Sequence, residues 1–189
     1  MSKTPQLSLA VQLPDDETFE SFQLGDNSVC VELLKSFIEK EINLSEPLSF
    51  YFFGTYGVGK SHLLHAACSY AETLNTTNFC MSFSQLTELS VEVLEGLEHF
   101  SLVCLDDIQL IAGNTLWQQA VFDLYNRITE QGNKIIITGN NSVKELGITL
   151  PDLVSRLAWG EVQSIKQLSD SDKIQALTFH ANQRGMQLT

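Results

Sequence analysis

The 189 residues contain no CxxC pair, no run of lysine and arginine, no low-complexity tract and no internal repeat. Each gap excludes something. Without paired cysteines a zinc knuckle or a thioredoxin-like redox motif is ruled out. Cys30, Cys68, Cys80 and Cys104, three of them inside apolar stretches, read as core packing rather than metal or redox chemistry. The formal charge is −12, and lysine and arginine nowhere form a run of the kind that neutralises a DNA backbone. Direct DNA binding is therefore not expected, whereas a protein surface, or a nucleotide held by local donors, fits such a charge. No segment approaches the roughly eighteen apolar residues that cross a bilayer, so no membrane partner is expected and a reducing, cytoplasmic setting is. Arginine occurs at Arg127, Arg156 and Arg184 alone, too few for the arginine-lined lid of a small-molecule kinase.

What is present suffices for one α/β domain, since 43% of the residues are hydrophobic. Residues 1–18 are polar, with Pro5, Pro14 and the acidic cluster Asp15-Asp16-Glu17, and are expected to form a flexible tail. From residue 19 to 189 the pattern is that of a folded domain. Asn27 is placed to cap a helix whose apolar positions Val31, Leu34, Phe37 and Ile38 recur at helical spacing, with its end near Ser45-Glu46-Pro47. Buried strands are expected at 48–53, 79–83, 102–105, 134–138 and 162–166. Helices are expected at 60–73, 85–94, 116–130, 151–157 and 169–184. Such alternation predicts a parallel five-stranded sheet sandwiched between helices.

Gly54-Thr55-Tyr56-Gly57-Val58-Gly59-Lys60-Ser61 matches GxxxxGK[ST] between a predicted strand and a predicted helix. Glycines let successive main-chain N–H groups turn inward on phosphate oxygens, and the helix start adds positive potential. Lys60 carries a full charge to the phosphates of ADP or ATP, and the Ser61 hydroxyl can ligate Mg²⁺. About 45 residues on, the apolar run Leu102–Leu105 ends in Asp106-Asp107. Parallel strands deliver such residues to one crevice, which makes Asp106 a metal ligand and Asp107 an orienter of attacking water. A third apolar run ends at Thr138-Gly139-Asn140-Asn141, where Asn140, or Thr138 in its place, could bond a γ-phosphate, although Gly-Asn-Asn is also ordinary turn chemistry. Arg156 could serve as an arginine finger on a neighbouring molecule's nucleotide, or be simply solvated.

Taken together, these segments resemble the AAA+ domain of the bacterial replication initiator DnaA over roughly residues 19–185. The most specific match is Leu105-Asp106-Asp107-Ile108-Gln109-Leu110-Ile111-Ala112-Gly113. Phe19, Phe22, Gly25 and Asn27 resemble the family's adenine-side motif, His62 follows the phosphate loop as in that family, and Ser155-Arg156 with Trp159-Gly160 resembles its arginine-finger segment. The resemblance implies nucleotide contacts from Gly54, Gly57, Val58, Gly59, Lys60, Ser61 and His62. It is expected to stop at the ATPase core, without the initiator's oligomerisation domain before it or helix-turn-helix domain after it, and with the helical lid absent or truncated. Gln6-Leu7-Ser8-Leu9 resembles the short peptide by which proteins dock on the DNA polymerase sliding clamp. The stretches 14–19, 61–67, 122–127 and 150–153 resemble the regulatory inactivators homologous to DnaA. That likeness implies a nucleotide-bound regulator, able to form homo-oligomers, that docks on the clamp and stimulates hydrolysis of DnaA-bound ATP. A self-sufficient ATPase acting as a loader or motor is the other expectation.

Overall fold

Short runs of β-branched and aromatic residues too apolar for an edge, such as Phe50-Tyr51-Phe52 and Ile135-Ile136-Ile137, can satisfy their side chains only when both faces of a sheet are covered. The computed structural model of the chain describes residues 17–183, with the backbone alone from 179 onward. It places these runs as β1 (Ser49–Phe53) and β4 (Lys134–Gly139), adjacent strands at the centre of the sheet. With β2 (Asn78–Ser82), β3 (Leu102–Asp106) and β5 (Glu161–Ser164) the order is β2-β3-β4-β1-β5, and every pairing is parallel.

On one face lie α1 (Ser28–Glu39) and α2 (Lys60–Thr73), burying Leu34, Leu63, Leu64 and Ala67 against Phe50, Phe52 and Cys104. Against the other pack α3 (Phe83–Leu86), α4 (Thr115–Glu130) and α5 (Pro151–Trp159), where Val121, Leu124, Leu153 and Leu157 meet Tyr51, Val103 and Ile137. Beyond β5 comes α6 (Asp170–Gln183), with Ile174 and Leu177 largely exposed. No helix among the described residues is long and apolar enough to cross a membrane. All four cysteines are buried and unbridged. Burial, with the Glu161 carboxylate adding to it, pushes the Cys30 thiol up to about 12, so it packs as a neutral group.

Three expectations are corrected. The first helix stops at Glu39, well before Pro47, because the buried Lys134 ammonium donates to the carbonyls of Ile38 (2.8 Å) and Lys40 (2.6 Å) and closes its end. Asn27 stands at the start of that helix without capping it. Its side-chain amide instead donates to Lys166 O (3.0 Å) and accepts from Lys166 N (2.8 Å), pinning the segment after β5. The helix expected over 85–94 is broken into α3 and a 3₁₀ turn at Val91–Leu94. Thr87, Ser90, Val91 and Val93 disfavour a continuous helix, and the break lets Leu86, Leu94 and Leu97 all reach the core.

His65 of α2 ties this body to Glu17 at the start of the described chain. The Cys80 side chain and then the Glu17 carboxylate raise the imidazole from 6.5 to about 9, against the opposing effect of burial. A raised histidine stabilises the fold in full below about 6.5, and that contribution drains away as pH climbs through about 9. The expected loss is on the order of 2 kcal/mol. It is visible as a falling melting temperature between those pH values, and His65→Leu should flatten that slope.

Candidate functional site

Where β1 ends, Gly54 N–H bonds the Gly139 carbonyl at 3.2 Å and the chain turns over into α2. Gly57 (φ +80°) and Gly59 (φ +94°) carry the turn in the left-handed region that glycine alone enters without strain. At Gly59 a Cβ would also lie 2.8 Å from the Phe22 ring, so the loop must be bare there for the aromatic segment to pack on it. Lys60 is buried, its ammonium donating to the carbonyls of Gly54 (3.0 Å) and Thr55 (3.2 Å). The loop thus comes with its cation held at its own rim. Gln167 Nε2 donates to Thr55 Oγ1 at 2.9 Å and braces the outside. Val58 is buried beneath, while Tyr56 projects fully into solvent.

Beside the loop, Ser61 Oγ donates to Asp106 Oδ2 at 2.6 Å. This hydroxyl in the first turn of α2 and this carboxylate at the C-terminal end of β3, side by side, form the kind of oxygen pair that Mg²⁺ takes with one or two protein ligands while phosphate oxygens and water supply the rest. No cluster of three or more His, Cys, Asp or Glu able to hold a metal occurs among the described residues. A magnesium ion shared with a nucleotide needs none, so the residues fit that group. Thr138, fully buried, donates from Oγ1 to Asp106 Oδ1 and accepts from the Asp107 N–H at 3.0 Å. It is therefore a brace for both acids, set behind them. Asp107 takes a left-handed backbone (φ 62°, ψ 49°), rare for a residue with a side chain, and its Oδ1 accepts from Gln109 Nε2 at 2.8 Å. Asn140, exposed, donates its N–H to Gln109 Oε1 at 3.1 Å.

The structure brings Gly54, Gly57, Val58, Gly59, Lys60, Ser61 and Asp106 into one locus at the C-terminal edge of β1 and β3, with Asp107 and Asn140 joined to it through Thr138 and Gln109. His62 engages the segment that packs on the loop. Its Nε2 lies 2.9 Å from Thr18 O and 3.1 Å from Ser21 Oγ, and its ring meets Phe22 edge-on at 5.4 Å. It clasps residues 18–22 across the start of α2. Arg156 stands apart. Exposed on α5, its guanidinium carbon is 6.0 Å from the Tyr125 ring centre, at a pocket of about 360 Å³ lined by Pro47, Leu48, Tyr125, Thr129 and Trp159. Those residues flank the entry to β1, whereas the phosphate loop leaves its exit, five residues or roughly 16 Å of extended chain away. The bridge that Gln109 makes between Asp107 and Asn140 has no signature in residue type, although Gln109 sits in the most specific stretch of the sequence. Gln6, Leu7, Ser8 and Leu9 lie outside the described residues.

The family model of the bacterial DnaA ATPase domain matches residues 13–164. The chain belongs to that family. Its fold is similar to domain III of the Thermotoga maritima replication initiation protein DnaA, at a TM-score of 0.82 and 21% identity, covering 94% of this chain and 78% of that one. It is also similar to AMPPCP-bound DnaA from Aquifex aeolicus (0.77, 24%), of which the chain spans 58%. DnaI is a more distant fold relative (0.68, 16%), with 79% of this chain and 90% of that one aligned. The five-stranded parallel sheet with helices on both faces is the sheet expected of this family.

Proposed function

We propose that this DnaA-family domain is a nucleotide-bound negative regulator of replication initiation, of the Hda type, that acts on ATP held by the initiator DnaA. The observation that carries the proposal is the placement of Arg156: exposed, seated over Tyr125, and at the far end of the sheet from the chain's own phosphate loop. A guanidinium there has no access to its own nucleotide and is free to meet one held by another molecule. Its planar fork suits the charge that develops on transferring phosphoryl oxygens.

In the chain's own site, main-chain amides of Gly57–Ser61 and the Lys60 ammonium hold the phosphates of ADP or ATP, and Ser61 with Asp106 would hold Mg²⁺, which neutralises phosphate charge when bound. Asp107 and Asn140 stand where a γ-phosphate and its attacking water would be oriented. Those two residues favour a second reading, a self-sufficient ATPase serving as loader or motor. The experiment that separates them follows phosphate release from ATP-loaded DnaA, from this protein alone, and from the two together with DNA-loaded clamp. The regulator proposal expects rapid release in the mixture alone; brisk turnover by the isolated chain would overturn it.

Docking on the sliding clamp is proposed through Gln6-Leu7-Ser8-Leu9, whose leucines suit an apolar pocket and whose glutamine suits its polar rim. The Leu7→Ala, Leu9→Ala double variant is expected to lose clamp capture in a pull-down by at least tenfold, two buried leucines contributing about 1.5–3 kcal/mol each. Undiminished capture would remove the clamp from the scheme while leaving the action of Arg156 on DnaA testable by itself.

A further inference from the structure

One amide side chain joins the ends of two strands at the nucleotide site. Gln109 lies in the 3₁₀ turn Ile108–Ile111 that follows β3, half-buried, with both of its polar atoms engaged. Nε2 donates to the Asp107 carboxylate at 2.8 Å, and Oε1 accepts the Asn140 N–H at 3.1 Å. A side-chain amide can donate to a carboxylate through its nitrogen while accepting from a main-chain N–H through its oxygen, so one residue spans both partners. Asp107 is held from behind as well, since its own N–H reaches Thr138 Oγ1 at 3.0 Å and its backbone is turned into the left-handed region. A non-glycine residue kept in that conformation by its surroundings is a common mark of a functional position.

We propose that Gln109 is the positioning residue of the nucleotide site, coupling Asp107, just after β3, to Asn140, just after β4, so that the two respond to a γ-phosphate as one unit. The proposal rests on the reading of the phosphate loop as a nucleotide site. Its physical content is preorganisation: the loop bearing Asn140 and the carboxylate of Asp107 keep a set separation before any ligand arrives, so a terminal phosphate meets donors and acceptor already in place. The α- and β-phosphates make their contacts with Gly57–Ser61 and Lys60, none of which hydrogen-bonds Gln109. Gln109 therefore determines how well the site tells a nucleoside triphosphate from a diphosphate, and leaves the diphosphate affinity alone.

Calorimetry of the full chain with Mg²⁺, using ADP and the non-hydrolysable ATP analogue AMPPCP, tests this. Gln109→Ala is expected to weaken AMPPCP roughly tenfold, the scale of one hydrogen bond to a charged group, with ADP affinity unchanged and the melting transition preserved. Gln109→Glu keeps an acceptor for Asn140 but sets a carboxylate against Asp107, and is expected to lose AMPPCP binding at least as severely. In an Asn140→Ala background the side chain that meets the terminal phosphate is gone, so Gln109→Ala should add less than about twofold, the non-additivity of coupled neighbours. An unchanged AMPPCP-to-ADP ratio in Gln109→Ala, equal losses for both nucleotides, or additive effects in the double variant would each overturn the assignment. A wild-type protein that binds neither nucleotide would remove the phosphate-loop reading and this one together, and is told apart from the other failures by the first titration.

Discussion

Arg156→Ala is expected to leave the binding of nucleotide to this chain intact and to lower the proposed stimulation of ATP hydrolysis on DnaA by on the order of a thousandfold, the contribution such fingers make to phosphoryl transfer. The separation follows from the sheet. α5 feeds β5 from the end at which β1 begins, because Phe50 near the start of β1 pairs with Glu161 at the start of β5. The residue four positions before the glycine that precedes β5 is therefore fixed at the edge opposite the phosphate loop. Arg156→Lys should fail nearly as badly, since a single ammonium lacks the planar fork that spreads hydrogen bonds over phosphoryl oxygens and stacks on Tyr125. Phosphate release from ATP-loaded DnaA under single-turnover conditions measures the effect. Full stimulation by the alanine variant would end the in-trans scheme, whatever the state of the chain's own site.

Lys60→Ala is expected to reduce ADP and ATP affinity at least a hundredfold, as two hydrogen bonds from a charged donor at about 1.5–3 kcal/mol each disappear. In the structure the ammonium bonds Gly54 O and Thr55 O. It must exchange at least part of that engagement for phosphate oxygens, so the measured loss is the difference between two occupied states rather than the whole Coulomb attraction. The fold should survive, because the core beneath the loop is built from Val58, Leu63 and Ile165 and not from the lysine. Equilibrium titration with fluorescent ADP, read beside the melting curve, separates lost binding from lost structure. Retained micromolar affinity in a folded Lys60→Ala protein would place the nucleotide elsewhere.

Several elements were legible because they depend on nearest neighbours. The helix expected over 60–73 is found at Lys60–Thr73, since the glycine turn before it and the apolar spacing of Leu63, Leu64 and Ala67 need nothing from outside. The strands ending at Asp106 and Gly139 were legible as uninterrupted apolar runs. The first helix was overextended because its terminator, Lys134, lies nearly a hundred residues on and arrives only through the sheet. Asn27 was misassigned for the same reason: a cap is a local option, and a partner 139 residues away, Lys166, outbid it.

The candidate site divides along the same line. The spacing of Gly54, Gly57, Gly59, Lys60 and Ser61, and the acids at a strand end, are statements about residue type at short range, and residue type alone determined that a glycine turn running into α2 and a carboxylate pair at the end of β3 exist in this chain. Which groups stand behind them was decided by strand order. With β4 placed between β3 and β1, Thr138 falls under Asp106 and Asp107, Gln109 spans to Asn140, and Arg156 is carried to the far edge of the sheet. Side chains that act by touching residues distant in the chain have no local pattern to betray them, because parallel pairing, and not sequence separation, sets who their neighbours are.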